Sequence, residues 1–105
     1  MVSTNVKIVG VSMSEYEDVY IGDKPVISYI NAGVWALGNK AKKPVRLLGR
    51  GGNIKTTVDT AEILKRQMIN PKVNIEIDSE DYEDRKVSTI TIILEGKKKK
   101  VEEKE

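Results

Sequence analysis

The sequence has no cysteine and no histidine, and each gap closes off a body of chemistry. Without cysteine there is neither a disulfide framework nor a thiolate metal site, and a reducing, intracellular compartment is the natural reading. Without histidine the chain lacks the usual general base near neutral pH, the usual zinc ligand and the usual partner of a nucleophilic serine, so several large classes of enzyme drop out. No apolar run approaches the ~20 residues that span a bilayer, and residues 1–10 carry neither a basic leader nor a signal-like apolar stretch. A cytoplasmic protein, soluble, unexported and without a membrane partner, is the expectation.

What is present fits one compact domain. The 105 residues are 39% hydrophobic and 32% charged, an ordinary globular balance that argues against wholesale disorder. Plentiful Glu, Lys and Ile fit a heat-adapted source. The net charge of +2 says less than its distribution. Residues 78–86 sum to −3, residues 97–105 to +2 and the rest of the chain to +3, so a mildly basic body carries an acidic patch.

Along the chain, residues 1–18 hold one alternating apolar stretch around Val6, Ile8, Val9 and Val11 and form either an added strand or an arm. Val19, Tyr20 and Ile21 read as a short strand. Asp23 then serves as a candidate helix N-cap, with Pro25 in the first turn, where its missing N–H costs little. From Pro25 to about Leu37, Val26, Ile30, Gly33, Val34 and Leu37 recur at helical spacing, and Gly38-Asn39 supplies the stop. Trp35 lies opposite that stripe, where a partner subunit or a loop could cover it.

Residues 44–48 (PVRLL) form a second strand, and a glycine-rich turn leads into a second helix from Ile54 to about Met68. Its face is Ile54, Val58, Ala61, Leu64 and Met68, and Asn70-Pro71 ends it. Val73, Ile75 and Ile77, and then Ile90, Ile92 and Leu94, alternate with polar or flanking residues as two closing strands. SEDYEDRK between them reads as an extended connection, too long and polar for a tight turn. The order predicts a two-layer α/β (α+β) domain, β-α-β-α-β-β, with a mixed four-stranded sheet and both helices on one face. The domain proper spans residues 19–95, followed by a charged tail at 96–105.

The turn Gly49-Arg50-Gly51-Gly52-Asn53 invites a phosphate-binding reading, because backbone N–H groups at a helix N-terminus bind anions readily. Neither nucleotide motif is complete: Ile54 stands where both the P-loop and the dinucleotide fingerprint need glycine. Glycines alone permit a tight strand-to-helix turn. They do not account for Arg50, which stands clear of the core on a loop that also exposes Asn53 and Lys55, as a contact to a nucleic-acid phosphate requires.

Taken together, Ile21-Gly22-Asp23-Lys24-Pro25-Val26 with Tyr29 three residues on, then Gly-Arg-Gly-Gly-Asn-Ile ahead of Val58-Asp59-Thr60-Ala61-Glu62-Ile63, and finally Arg85-Lys86-Val87-Ser88-Thr89-Ile90, resemble the archaeal Alba family of chromatin proteins in order and spacing. The resemblance covers about residues 19–94. It implies the β-α-β-α-β-β fold, a homodimer, and non-enzymatic binding of double-stranded DNA or of RNA, in a nucleoid-associated role, through a basic body and two hairpin arms; no cofactor or metal is expected. Carried over by residue, Lys24 sits at the lysine before proline, Arg50 at the turn arginine, Asn53 at a position that is asparagine in some members, and Arg85 with Lys86 at the base of the arm. Lys55 adds a cation beside the turn, and Tyr29 is a candidate for stacking on an RNA base. Met68 takes the place of an aromatic residue that in the family helps dimers pair along DNA, and serves either that contact or the core.

The other departures from the family pattern all make the chain less positive. Asp23 replaces the first lysine of the usual pair, so the family's acetylated lysine has no counterpart; Gly52 replaces an arginine and Leu48 a lysine; and the arm carries Glu80, Asp81, Glu83 and Asp84. Each lost contact flattens the salt dependence of binding by about one unit of slope, so weaker general DNA affinity is expected. RNA binding, pairing with a more basic paralogue, or a structural dimer without nucleic-acid binding are the alternatives that this leaves.

Overall fold

A computed structural model of the protein describes residues 15–38 and 43–99. Strand β1 spans Glu17–Tyr20, helix α1 Val26–Leu37 and strand β2 Val45–Arg50; a single 3-10 turn, Gly51–Asn53, leads into helix α2, Ile54–Arg66; strands β3, Met68–Asp81, and β4, Lys86–Lys98, close the fold. The sheet order is β1-β2-β4-β3, with β1 and β2 parallel and the other two pairs antiparallel. The parallel pair needs a crossover, which α1 supplies. The expected mixed four-stranded sheet with two helices is therefore present.

Alternation along the strands decides which face is covered. Val45, Leu47 and Gly49 of β2 stand opposite Leu94, Ile92 and Ile90 of β4, and Val19 of β1 opposite Leu47. These residues are buried, and with Tyr29 and Ala36 of α1 and Ala61 and Leu64 of α2 they form one core on the helix-bearing face. The opposite face, with Tyr20, Arg46, Leu48 and Thr91, carries no helix. There Arg46 donates two hydrogen bonds to the Asp18 carboxylate, at 2.8 and 2.9 Å, with the Tyr16 ring 4.5 Å beneath its guanidinium. The hydrogen bond to Asp18, more than its charge, raises the Arg46 pKa above its already high ordinary value.

Several local expectations are corrected. Pro25, not Asp23, is the residue capping α1, and no side chain bonds the helix N-terminus. The deepest face of α1 is Tyr29, Gly33 and Ala36, with Ile30, Val34 and Leu37 flanking it. Gly38 does follow the helix, its N–H reaching the Val34 and Trp35 carbonyls, while Asn39 lies outside the described residues. Trp35 and Ile27 are 68% and 58% exposed on the outer side of α1, and nothing among the described residues covers them.

Helix α2 ends at Arg66, before Asn70-Pro71, and Met68 is the first residue of β3, almost wholly buried in the core. Its buried face also includes Thr57 and Thr60, fully buried, whose hydroxyls donate to the carbonyls of Asn53 and Thr56 at 2.8 and 2.7 Å. That i−4 bonding satisfies a hydroxyl inside an apolar interface. Asn70-Pro71 instead marks a register shift of β3 between Ile69 and Lys72, with Asn70 at φ 48°.

The largest difference lies in the charged connection. SEDYEDRK is a hairpin end: the β3–β4 ladder continues through Ser79↔Ser88 to Asp81↔Lys86, and residues 82–85 turn with paired backbone bonds between Tyr82 and Arg85. At the other end β4 runs to Lys98, pairing Lys97 with Ile69 and Lys98 with Met68, so residues 96–98 are strand where a charged tail was expected. Residues 1–14 and 100–105, which hold the alternating stretch and the rest of the tail, lie outside the described residues.

Candidate nucleic-acid interface

Strand direction gathers the predicted cations at one end of the sheet. Because β1 and β2 are parallel, the loop carrying Lys24 and the turn carrying Arg50 leave the sheet from the same end. Because β4 is antiparallel to β2, with Arg50 opposite Thr89, the hairpin extends from that end too, and Arg85 and Lys86 lie at its tip, where the turn closes, not at the base of the arm as expected. The N-terminus of α2, with Asn53 and Lys55, follows directly from β2.

The Lys24 loop is held by Tyr29. The Tyr29 hydroxyl accepts the backbone N–H groups of Gly22 at 2.8 Å and Lys24 at 2.9 Å, and the Ile21 N–H bonds the Leu48 carbonyl at 2.8 Å. The Tyr29 ring is buried against the core, 6% exposed, so it cannot offer a face to a base; its place in the fold is to brace the backbone that presents Lys24. The base-stacking role expected for Tyr29 is therefore corrected.

The glycine turn is shaped by two constraints. Gly49 lies under Thr57, where a Cβ would fall inside the threonine hydroxyl, so α2 packs onto β2 only over a glycine. Gly51 adopts φ +57°, a conformation that other residues resist. The turn leaves Arg50 exposed, Asn53 half-exposed and no acid in the first turn of α2. A helix N-terminus free of carboxylates retains its positive end for an anion.

Most of the cations already have carboxylate neighbours. Arg50 Nη1 donates to Glu80 Oε1 at 3.1 Å and to the Tyr82 hydroxyl at 2.6 Å, and Tyr82 donates to the same Glu80 oxygen at 3.0 Å. The Arg50 and Arg85 guanidinium groups lie 5.9 and 6.0 Å from the Tyr82 ring centroid. Lys55 bonds Asp59 one turn on, at 2.8 Å, which raises the pKa of this exposed amine, and Lys86 lies 3.2 Å from Asp81. Among the described residues neither Lys24 nor Arg85 forms an ion pair.

Glu80 and Tyr82 are the functional candidates that sequence reasoning did not single out. They sit thirty and thirty-two positions from Arg50. Only the acidic run itself hinted at them. With Tyr20, Leu48, Thr89 and Thr91 on the helix-free face, Arg50 and Glu80 line a cleft of about 480 Å³. Among the described residues no group of acidic side chains has the arrangement of a metal site, and no helix is long and apolar enough to cross a membrane.

The fold and this end of the sheet define a two-layer α+β domain whose loops and hairpin project cationic side chains together. Residues 17–79 match the family model described as Alba. The chain is 33% identical over 88 residues to the DNA/RNA-binding protein Alba of Methanothrix thermoacetophila, covering 78% of this chain and 98% of the relative. It is 37% identical over 86 residues to the protein of the same name from Nanoarchaeum equitans, covering 73% and 94%. Among solved structures, Alba from Thermoplasma volcanium superposes with a TM-score of 0.61 at 28% identity, over 75% of this chain and 99% of the other. The chain belongs to the Alba family.

Proposed function

We propose that the protein is a non-enzymatic nucleic-acid-binding protein that acts as a homodimer, contacts double-stranded DNA and also RNA through their phosphates, and works in the cytoplasm on the nucleoid. The observation that carries the reading is the common exit of the Lys24 loop, the Arg50 turn, the α2 N-terminus and the hairpin from one end of the sheet. Family relatives named DNA/RNA-binding proteins support the same ligand class. Lys24, Arg50, Lys55, Arg85 and Lys86 supply charge, Asn53 and the α2 N-terminus supply hydrogen-bond donors, and Tyr29 positions Lys24.

The dimer is supported by β3. Val73, Ile75 and Ile77 pair with Leu94, Ile92 and Ile90 and therefore share the helix-bearing face, yet they are 39%, 54% and 77% exposed, unlike Met68 at the start of the same edge strand. A row of three aliphatic side chains on an uncovered sheet face is a docking surface for another copy, each residue contributing a part, set by its remaining exposure, of the ~1.5–3 kcal/mol that full burial gives. The acidic arm supports a second assembly, a heterodimer with a more basic paralogue.

The deciding experiment is a binding titration against duplex DNA and structured RNA across salt concentrations. Phosphate binding predicts an affinity that falls steeply as salt rises, by about one unit of log-log slope per contact. Absence of binding to either at low salt would remove the proposed role and leave a structural dimer.

A further inference from the structure

The contacts at Arg50 show an anion already in place. We infer that the acidic arm acts as an intramolecular phosphate mimic: Glu80 and Tyr82 clamp Arg50 in the free protein, and a nucleic-acid phosphate binds there only by displacing the Glu80 carboxylate. The inference rests on the reading of Arg50 as a phosphate contact and adds to it a competitor supplied by the chain itself.

Three features carry it. The network is a closed triangle, in which Arg50 donates to both Glu80 and Tyr82 while Tyr82 donates to Glu80, so each member orients the other two. The triangle is long-range, joining the end of β2 to the tip of the hairpin, and therefore fixes the arm against the very turn that the arm would otherwise leave free. Its chemistry matches the ligand, because a carboxylate presents to a guanidinium the same anionic oxygens that a phosphate does. The neighbouring arm residues reinforce the competition: Asp78, Asp81, Glu83 and Asp84 flank Glu80 and Tyr82 along the arm with charge of the sign that repels a polyanion, while Asp81 holds Lys86. All of these side chains are exposed, so the clamp opens readily and tunes affinity without abolishing it.

Two substitutions separate competition at Arg50 from general repulsion. Glu80→Gln removes the competing charge, and Tyr82→Phe removes the hydroxyl that receives the Arg50 bond without changing charge at all. Asp84→Asn is the control, since it removes one arm charge that is outside the triangle. On duplex DNA at low salt, Glu80→Gln is expected to bind about fivefold tighter and Tyr82→Phe about twofold tighter, the scale of an exposed charged pair. Asp84→Asn should gain less than Glu80→Gln, and in an Arg50→Ala background the gain from Glu80→Gln should shrink to that of Asp84→Asn.

A readout without nucleic acid accompanies the titration: rotation of the Arg50 guanidinium, followed by side-chain NMR, should be hindered in the wild type and released in Glu80→Gln and Tyr82→Phe. Equal gains for Glu80→Gln and Asp84→Asn, with Tyr82→Phe unchanged, overturn the clamp while leaving Arg50 as a phosphate contact. A wild type and Glu80→Gln variant that both fail to bind overturn the phosphate reading and the competition with it. Free guanidinium rotation in the wild type removes the clamp directly.

Discussion

Replacing Tyr29 by phenylalanine isolates the link between the fold and the interface. The change leaves the buried ring in place and deletes one atom, the hydroxyl oxygen that accepts the N–H groups of Gly22 and Lys24. Each donor then loses a partner in a partly buried setting, where water recovers some of the loss, at about 1 kcal/mol apiece and about 2 kcal/mol together. For a domain of this size that corresponds to a fall in Tm of roughly 10 °C. Denaturant melts of both proteins at one concentration would measure it, and amide exchange should quicken at Gly22 and Lys24 ahead of the core strands. Nucleic-acid affinity should fall modestly, because Lys24 keeps its charge and loses its fixed position. A Phe variant within about 0.5 kcal/mol of the wild type, with exchange at both amides unaltered, would show that the hydroxyl braces nothing.

Other outcomes follow from the same geometry. Gly49→Ala forces a methyl into Thr57 and should destabilise by about 3 kcal/mol or more, and combining it with Thr57→Ala should cost less than the two separate effects added, as a double-mutant cycle by denaturation would register. If β3 docks a second copy as proposed, light scattering should find wild type dimeric and Ile75→Asp or Ile77→Asp monomeric while the far-UV dichroism is retained, since both residues are exposed within the single chain. Asp18→Asn removes one partner of the bidentate Arg46 pair on the helix-free face and should lower stability by roughly 1 kcal/mol in urea, with no change in nucleic-acid affinity.

The strand and helix order was readable because most segments announce themselves by periodicity: alternation in β4, helical spacing in α1, and a glycine turn between β2 and α2. What misled was local composition that tertiary context overrode. Residues 79–86 look like loop because they are nearly all charged, yet a hairpin needs only cross-strand backbone bonds, and its solvent-exposed sides tolerate any polar residue. The helical stripe of α2 was assigned to aliphatic positions alone, which holds for Ala61 and Leu64, but Thr57 and Thr60 are buried as fully as Leu64, their hydroxyls satisfied one turn back and thus invisible to a hydrophobic count.

The same distinction applies to the interface. Lys24, Arg50, Asn53, Lys55, Arg85 and Lys86 were proposed from loop position and family pattern, and parallel pairing of β1 with β2 explains why the segments that carry them, far apart in sequence, leave the sheet from one end. Tyr29 was misread because its side chain sits on the buried face of α1, a rotation that one apolar stripe does not specify. The Arg50–Glu80–Tyr82 triangle was out of reach, since it depends on hairpin register across some thirty residues.

The central claim is that Lys24 and Arg50 belong to one phosphate-binding surface, and the salt dependence of duplex DNA binding tests it most directly. Measured for the wild type, Lys24→Ala, Arg50→Ala and the double variant, the log-log slope should become shallower by about one unit for each single change and by about two for the double. Slopes that match the wild type in all three variants, with affinity unchanged, would contradict the account.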